Sequence, residues 1–241
     1  MGLPLCDRDK QNTPGDRHRS PSLAQRYGKL RQHDRRRCHD DGGRPNAPGC
    51  NPPTSRLGGS QLFALSALIV RLLGGPWPDF GRLGFEDLLG FSFLAGLLYG
   101  IGEEAGWRGF ALPRLQSGRS ALAATLILTV FWALWHTPFF FYRFEFGAVQ
   151  VIAFFMGLLA GAIWLTCLYN ATGGSILMVA AWHTTWNLVN QVAMVVSVEI
   201  LSAMSVMVMI LAIAVVVVFG PATLSPRPKQ EMTSFAPPRV R

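Results

Sequence analysis

"ILSAMSVMVMILAIAVVVVF", residues 200–219, carries no charged side chain from end to end. A helix needs about 20 apolar residues to cross the roughly 30 Å hydrocarbon core of a bilayer, rising about 1.5 Å per residue. This run has that length. Inside hydrocarbon a backbone must pair its own polar groups, so a single run of this kind reads as a helix. Toward the N-terminus, residues 175–198, 148–169, 120–141 and 87–112 repeat the pattern, separated by "NATGG", "RFEFG" and "PRLQSGR". Pro113, Gly118, Gly173 and Gly174 punctuate the ends. "SQLFALSALIVRLLGG" (60–75) is shorter and holds Arg71. A membrane barrel would instead show short alternating segments. The expected fold is all-α: a polytopic integral membrane bundle of about five to six transmembrane helices within residues 60–220.

Composition divides the chain. Of its 241 residues, 50% are hydrophobic and 15% charged, against about 25% charged in an average soluble domain. Residues 1–59 hold 12 Lys and Arg against 6 Asp, with 7 prolines; residues 60–241 hold 10 basic and 8 acidic side chains. A segment so polar cannot bury enough apolar surface to fold, so 1–59 is expected to be a disordered basic tail. It lacks the apolar stretch of a secretory signal. A mis-assigned start, with N-terminal helices missing, fits the same composition. No nucleic-acid-reading element accompanies the basic charge, and no nucleic-acid partner is expected. Cys38, His39 and Cys50 with His33 lack a CxxC pair and read as a free-thiol segment rather than a metal knuckle. Cys167 falls in an apolar run and reads as a small core residue.

Charge also orients the bundle. Arg114 and Arg119 lie in the loop 113–119, and Arg227, Lys229, Arg239 and Arg241 outweigh Glu231 in the tail 221–241. The positive-inside rule puts both on the cytoplasmic side with the basic N-terminus. The four runs between loop and tail return the chain to its starting side. The expectation is a multi-pass cell-membrane protein with cytoplasmic N- and C-termini and a disordered C-terminal tail from residue 221.

Ionisable groups are few in the apolar runs, and costly there. "GEEAGWRGFAL" (102–112) supplies Glu103, Glu104 and Arg108; "FWALWHTPF" supplies His136; "AAWHTTWNLVN" supplies His183 and Asn187. Glu104 with Arg108, Trp132 with His136, and His183 with Asn187 are each i,i+4 and share a helix face. Counted from a turn at Gly118–Arg119, Glu103 and His136 reach the same depth, about 24 Å in. His183 lies about 15 Å from its own turn at Gly173, an offset of about 9 Å that vanishes if the first hairpin protrudes. A carboxylate beside an imidazole can activate water, and an amide such as Asn187 can steady an oxyanion. Two histidines and a glutamate are also a zinc-ligand set; here they would be Glu103, His136 and His183, if the reaction is metal-dependent. The reaction either arrangement suits is amide hydrolysis at the membrane. No GxSxG occurs, and "GIGEEAG" is no phosphate loop.

Glu103-Glu104-x-x-x-Arg108, an aromatic helix ending in His136, and His183-x-x-x-Asn187, with "WRGFALPRL" after the first motif, resemble the CPBP family: the type II CAAX prenyl endopeptidases and the bacteriocin-processing or immunity (ABI) proteins. The resemblance covers residues 85–195. It implies an intramembrane peptidase acting on a peptide or lipidated protein in contact with membrane lipid. It further implies that Glu103 and His136 activate the water, that Glu104 assists or holds Arg108, and that His183 and Asn187 bind the substrate carbonyl. The residues before 85 depart from the family's first helices. Two other readings stay open: a non-catalytic immunity or scaffold protein that binds a peptide in the same pocket, and a small transporter with a Glu/His proton relay, although no internal repeat is found. Each polar pair also has a structural reading as interhelical packing, the tryptophans read as packing or interfacial anchors, and Gly157 with Gly161 in "GLLAG" reads as a close-packing GxxxG.

Overall fold

A computed structural model describes residues 58–142 and 147–231. The chain divides into two units, Met1–Cys50 and Asn51–Arg241. The first lies outside the described residues, as do the expectations made for the tail 1–57, its cysteines and histidines, and Arg239 and Arg241.

Among the described residues every regular element is helical. We number them α1 (Gly59–Leu72), α2 (Phe85–Leu89), α3 (Phe91–Gly106), α4 (Leu112–Ser117), α5 (Ala121–His136), α6 (Phe139–Tyr142), α7 (Ala148–Ala171), α8 (Ile176–Val196) and α9 (Val198–Phe219); a π-turn, Trp107–Ala111, joins α3 to α4. Three long helices start on serine caps. Ser120, Ser175 and Ser197 accept from the backbone N–H of Ala123, Met178 and Ile200 at 3.2, 3.3 and 3.2 Å, each satisfying a donor that the first turn would leave unpaired. Gly173 and Gly220, at φ +71° and +76°, end α7 and α9 in a conformation that L side chains resist.

Helix α8 occupies the middle. It packs most heavily on α3 and also touches α1, α7 and α9, while α7 carries α5 and α9 on its other sides. The main core joins Leu62, Leu112, Leu128, Trp132, Trp164 and Val208. A second cluster, Ala67, Val70, Ala193, Ile200 and Met204, closes the far end. Leu98, Val130, Leu134, Ile213 and Val217 remain exposed and apolar, a surface suited to lipid.

The all-helical membrane fold is as expected, with four differences. Among the described residues three stretches are long and apolar enough to cross a bilayer: Ala121–Phe141, Ala148–Ala171 and Val198–Phe219. Helix α8 has 21 residues but spends its polarity on His183, Thr184, Thr185, Asn187 and Asn190, and α1 has only 14 residues. Second, the expected run 87–112 breaks at Gly90, whose extended ψ of −177° ends α2 and starts α3. Third, the expected loop 113–119 is helical through Ser117. Pro113 cannot donate a backbone hydrogen bond and its ring crowds the carbonyl one turn back; the wider π-turn before it, where Leu112 N–H reaches Trp107 O, takes up that conflict. The depth offset of about 9 Å reckoned from the turns is absent all the same, since His183 Nδ1 meets Glu104 Oε1 at 2.7 Å. Fourth, residues 221–231 are not loose. Leu224 and Ser225 are buried, and Ala222 O and Pro221 O accept from the N–H groups of Ala121 and Leu122, both at 3.0 Å. Gly157 and Gly161 meet open space, so this GxxxG does not mediate close packing among the described residues.

Candidate active site

The site sits where α3, α5 and α8 meet. Glu104 and Arg108 lie one turn apart and are both fully buried. Arg108 Nη1 donates to Glu104 Oε1 at 2.8 Å, and His183 Nδ1 meets that same oxygen at 2.7 Å. A carboxylate oxygen can only accept, so His183 carries its proton on Nδ1 and turns Nε2 away from Glu104. Glu104 Oε2, Arg108 Nε and Arg108 Nη2 are buried without a partner among the described residues, as is Thr184 Oγ1 next door. Buried polar atoms are ordinarily paired, and these four are exceptions clustered at one place.

Glu103, half-buried, points to α5. It accepts from Trp132 Nε1 at 2.8 Å and from Trp135 Nε1 at 3.2 Å, one indole on each oxygen. His136 Nδ1 lies 2.8 Å from the carbonyl of Trp132, one turn back on its own helix. That carbonyl fixes the proton on Nδ1, so Nε2 is the free basic nitrogen here too. Phe139 and Phe154 flank the His136 ring at 5.7 and 5.4 Å between centroids.

Trp132 ties the parts together. Its ring meets His136 and His183 edge-on at 5.7 and 5.5 Å, and the Arg108 guanidinium sits 4.6 Å above it. One indole thus touches Glu103 by hydrogen bond, Arg108 by a cation–π contact, and both imidazoles by ring edges. From its place in an apolar run, Trp132 reads only as packing. The signal for more is the buried indole N–H, which needs an acceptor on another helix.

Glu103, Glu104, Arg108, His136 and His183 therefore gather around Trp132. Asn187 stands apart: its Nδ2 donates to Gly96 O at 3.2 Å, and Gly96 lies about 10–12 Å along α3 from the paired glutamates at the helical rise. The conditional zinc set of Glu103, His136 and His183 is not assembled. Among the described residues no three His, Cys, Asp or Glu side chains converge on a point that could hold an ion; Glu103 faces indole donors and His183 faces Glu104. An open apolar cleft lies beside the site, lined by Trp107, Ala111, Arg114, Leu115, Phe131 and Trp135.

This arrangement offers a half-buried carboxylate, two imidazoles with free Nε2 atoms, and a buried guanidinium, which is acid–base and electrostatic equipment. Residues 85–189, which contain all of it, match the family model for type II CAAX prenyl endopeptidases, Rce1-like. The chain is also 32% identical over 138 residues to the CAAX prenyl protease 2 of Methanococcus maripaludis, an overlap of 53% of this chain and 51% of that protein. The overlap thus spans about half the length of that curated relative. By motif order and by both likenesses, the segment 85–189 is similar to the Rce1-like type II CAAX prenyl endopeptidases.

Proposed function

We propose that this protein is an intramembrane endopeptidase that cleaves membrane-associated or prenylated, CAAX-type proteins by direct attack of water. The observation that carries the reading is the gathering of Glu103, His136 and the Glu104–Arg108–His183 triad around one indole, on three helices of a lipid-facing bundle. In the proposed step, Glu103 and His136 Nε2 hold a water between them. Glu103 takes one proton as the water oxygen adds to the scissile carbonyl. The tetrahedral adduct then collapses, the C–N bond breaks, and the departing amine takes that proton. His183, its Nδ1–H committed to Glu104, turns Nε2 toward the substrate and helps to position it. Arg108 balances the buried charge of Glu104. No step is routed through a metal.

The apolar cleft beside Trp135 supports a lipidated substrate: one indole lines the cleft and donates to Glu103, so a hydrocarbon chain seated there would bring its peptide to the carboxylate. Cleavage of a farnesylated CAAX peptide by the purified chain in detergent tests the reading. Glu103→Gln and His136→Ala are expected each to reduce turnover by about 100-fold or more, with substrate binding retained and chelators without effect. Binding without any cleavage by the unmodified chain would instead favour the peptide-binding immunity or scaffold reading. The observation that favours that second reading is that both Glu103 oxygens already accept from indoles.

A further inference from the structure

Four glycines punctuate α3 near the site, and they differ sharply in surroundings. A Cβ at Gly102 or Gly106 would meet nothing within 4 Å, and one at Gly96 would make an ordinary 3.5 Å contact with Asn187 Cβ. A Cβ at Gly100 would collide with Thr184. Its closest neighbour would be Oγ1, and it would lie 2.6 Å from the Thr184 backbone N and 2.7 Å from Cα. A side-chain oxygen can rotate aside; backbone atoms of a helix cannot. Only a residue without a side chain lets α3 seat on α8 at this depth.

Glu104 is four residues further along α3, on the same face as Gly100. Its bond to His183, the neighbour of Thr184, is 2.7 Å long. A methyl group at position 100 needs roughly 3.5–4 Å from carbon neighbours, so the helices would separate by on the order of 1 Å. That displacement exceeds the tolerance of the Glu104–His183 hydrogen bond. The same turn of α8 is gripped from another side: a Cβ at Gly59 of α1 would lie 3.0 Å from Trp186 N and 3.1 Å from Thr185 C.

We infer that Gly100 is a positioning residue of the site, whose bare backbone sets the depth at which α3 docks on Thr184 and thereby holds Glu104 on His183. The inference deepens the peptidase reading and rests on it for the consequence to turnover. The contact itself can be read without any cleavage, so the two fail separately.

The test is a double-mutant cycle on thermal stability of the full chain in detergent. Gly100→Ala is paired with Glu104→Gln, and Gly102→Ala serves as the matched control. If Gly100 acts through Glu104, the melting shift caused by E104Q falls in the G100A background to about half or less of its value in the unmodified chain. In the G102A background it stays unchanged. Equal shifts in all three backgrounds overturn the inference. Should G100A fail to accumulate, Thr184→Val presses on the same contact more gently. The Thr184 hydroxyl has no partner to lose, so T184V exchanges only an oxygen for a methyl. T184V is then expected to shrink the E104Q shift, and an unchanged shift again overturns the inference. Where cleavage is measurable, G100A lowers kcat by about 100-fold with KM little changed, and G102A leaves both alone.

Discussion

At the scale of the residue, the site depends on how few donors and acceptors are shared among many groups. Glu104 Oε1 serves both Arg108 and His183, and Trp132 serves Glu103, Arg108 and two imidazoles. Trp132→Phe separates these duties: the phenyl ring keeps an aromatic face for Arg108 and an edge for the histidines, but loses the N–H that aims Glu103. The expected result is a fall in kcat by on the order of 10- to 100-fold with a stability cost of about 1–3 kcal/mol, read by peptide cleavage and thermal unfolding. Trp135→Phe is expected to do less, because its bond to Glu103 is longer and exposed. A W132F chain with full turnover would remove Glu103 from the catalytic role. The charged members of the site are legible in the amino-acid sequence, since Glu103, Glu104, Arg108, His136 and His183 are conspicuous among apolar neighbours and their i,i+4 spacings put them on helix faces. Trp132 and Gly100 are not. A tryptophan in a membrane helix has many bland uses, and the value of a missing Cβ depends on what stands opposite it on another helix, which no periodicity along one helix reveals.

At the scale of the element, α4 is the informative case. Pro113 and Gly118 read as loop signals, yet the helix bearing Glu103 and Glu104 continues through a π-turn to Ser117. Its far end is held by side chains. Gln116 and Asn170, both fully buried, exchange two amide hydrogen bonds at 3.1 and 2.9 Å. The segment after α9 completes the set: Asn170 accepts from Gln230 N at 3.0 Å and donates to Thr223 O at 2.9 Å, and Lys229 Nζ donates to Gln116 O at 2.6 Å. Residues 221–231, the described part of a tail expected to be loose, are therefore anchored, because their polar backbone finds buried amides that composition does not display. Asn170→Ala leaves the Gln116 amide buried with its best partner gone, a cost of about 2–3 kcal/mol. Removing residues 221–241 strips the same network from the other side. Thermal unfolding should show the two changes to be strongly non-additive, since each disables what the other would lose; simple additivity would mean that the tail and Asn170 act independently.

At the scale of the whole molecule, the arrangement of ends makes the orientation testable. Backbone bonds from Ala121 and Leu122 to Ala222 and Pro221, together with the Gln116–Asn170–Gln230 network, bring the α4–α5 turn, the α7–α8 turn and the segment 221–231 to one end of the bundle. Arg114, Arg119, Arg227 and Lys229 all belong to that end. The opposite end, where Asp79 N–H reaches Val196 O at 3.4 Å, carries Asp79, Arg82, Glu86, Asp87 and Glu199, in which acids outnumber bases. Basic residues in short loops resist translocation whereas acids barely matter, so the end with Gly118 is expected to face the cytoplasm. Single cysteines introduced at Gly118 and at the exposed Trp77, in a chain whose 4 native cysteines are replaced by alanine, read this directly. An impermeant thiol reagent added to intact cells should label the Trp77 position and spare Gly118 until the membrane is opened. Labelling of Gly118 from outside would invert the bundle and overturn the cytoplasmic placement of the end that carries Arg114, Arg119, Arg227 and Lys229.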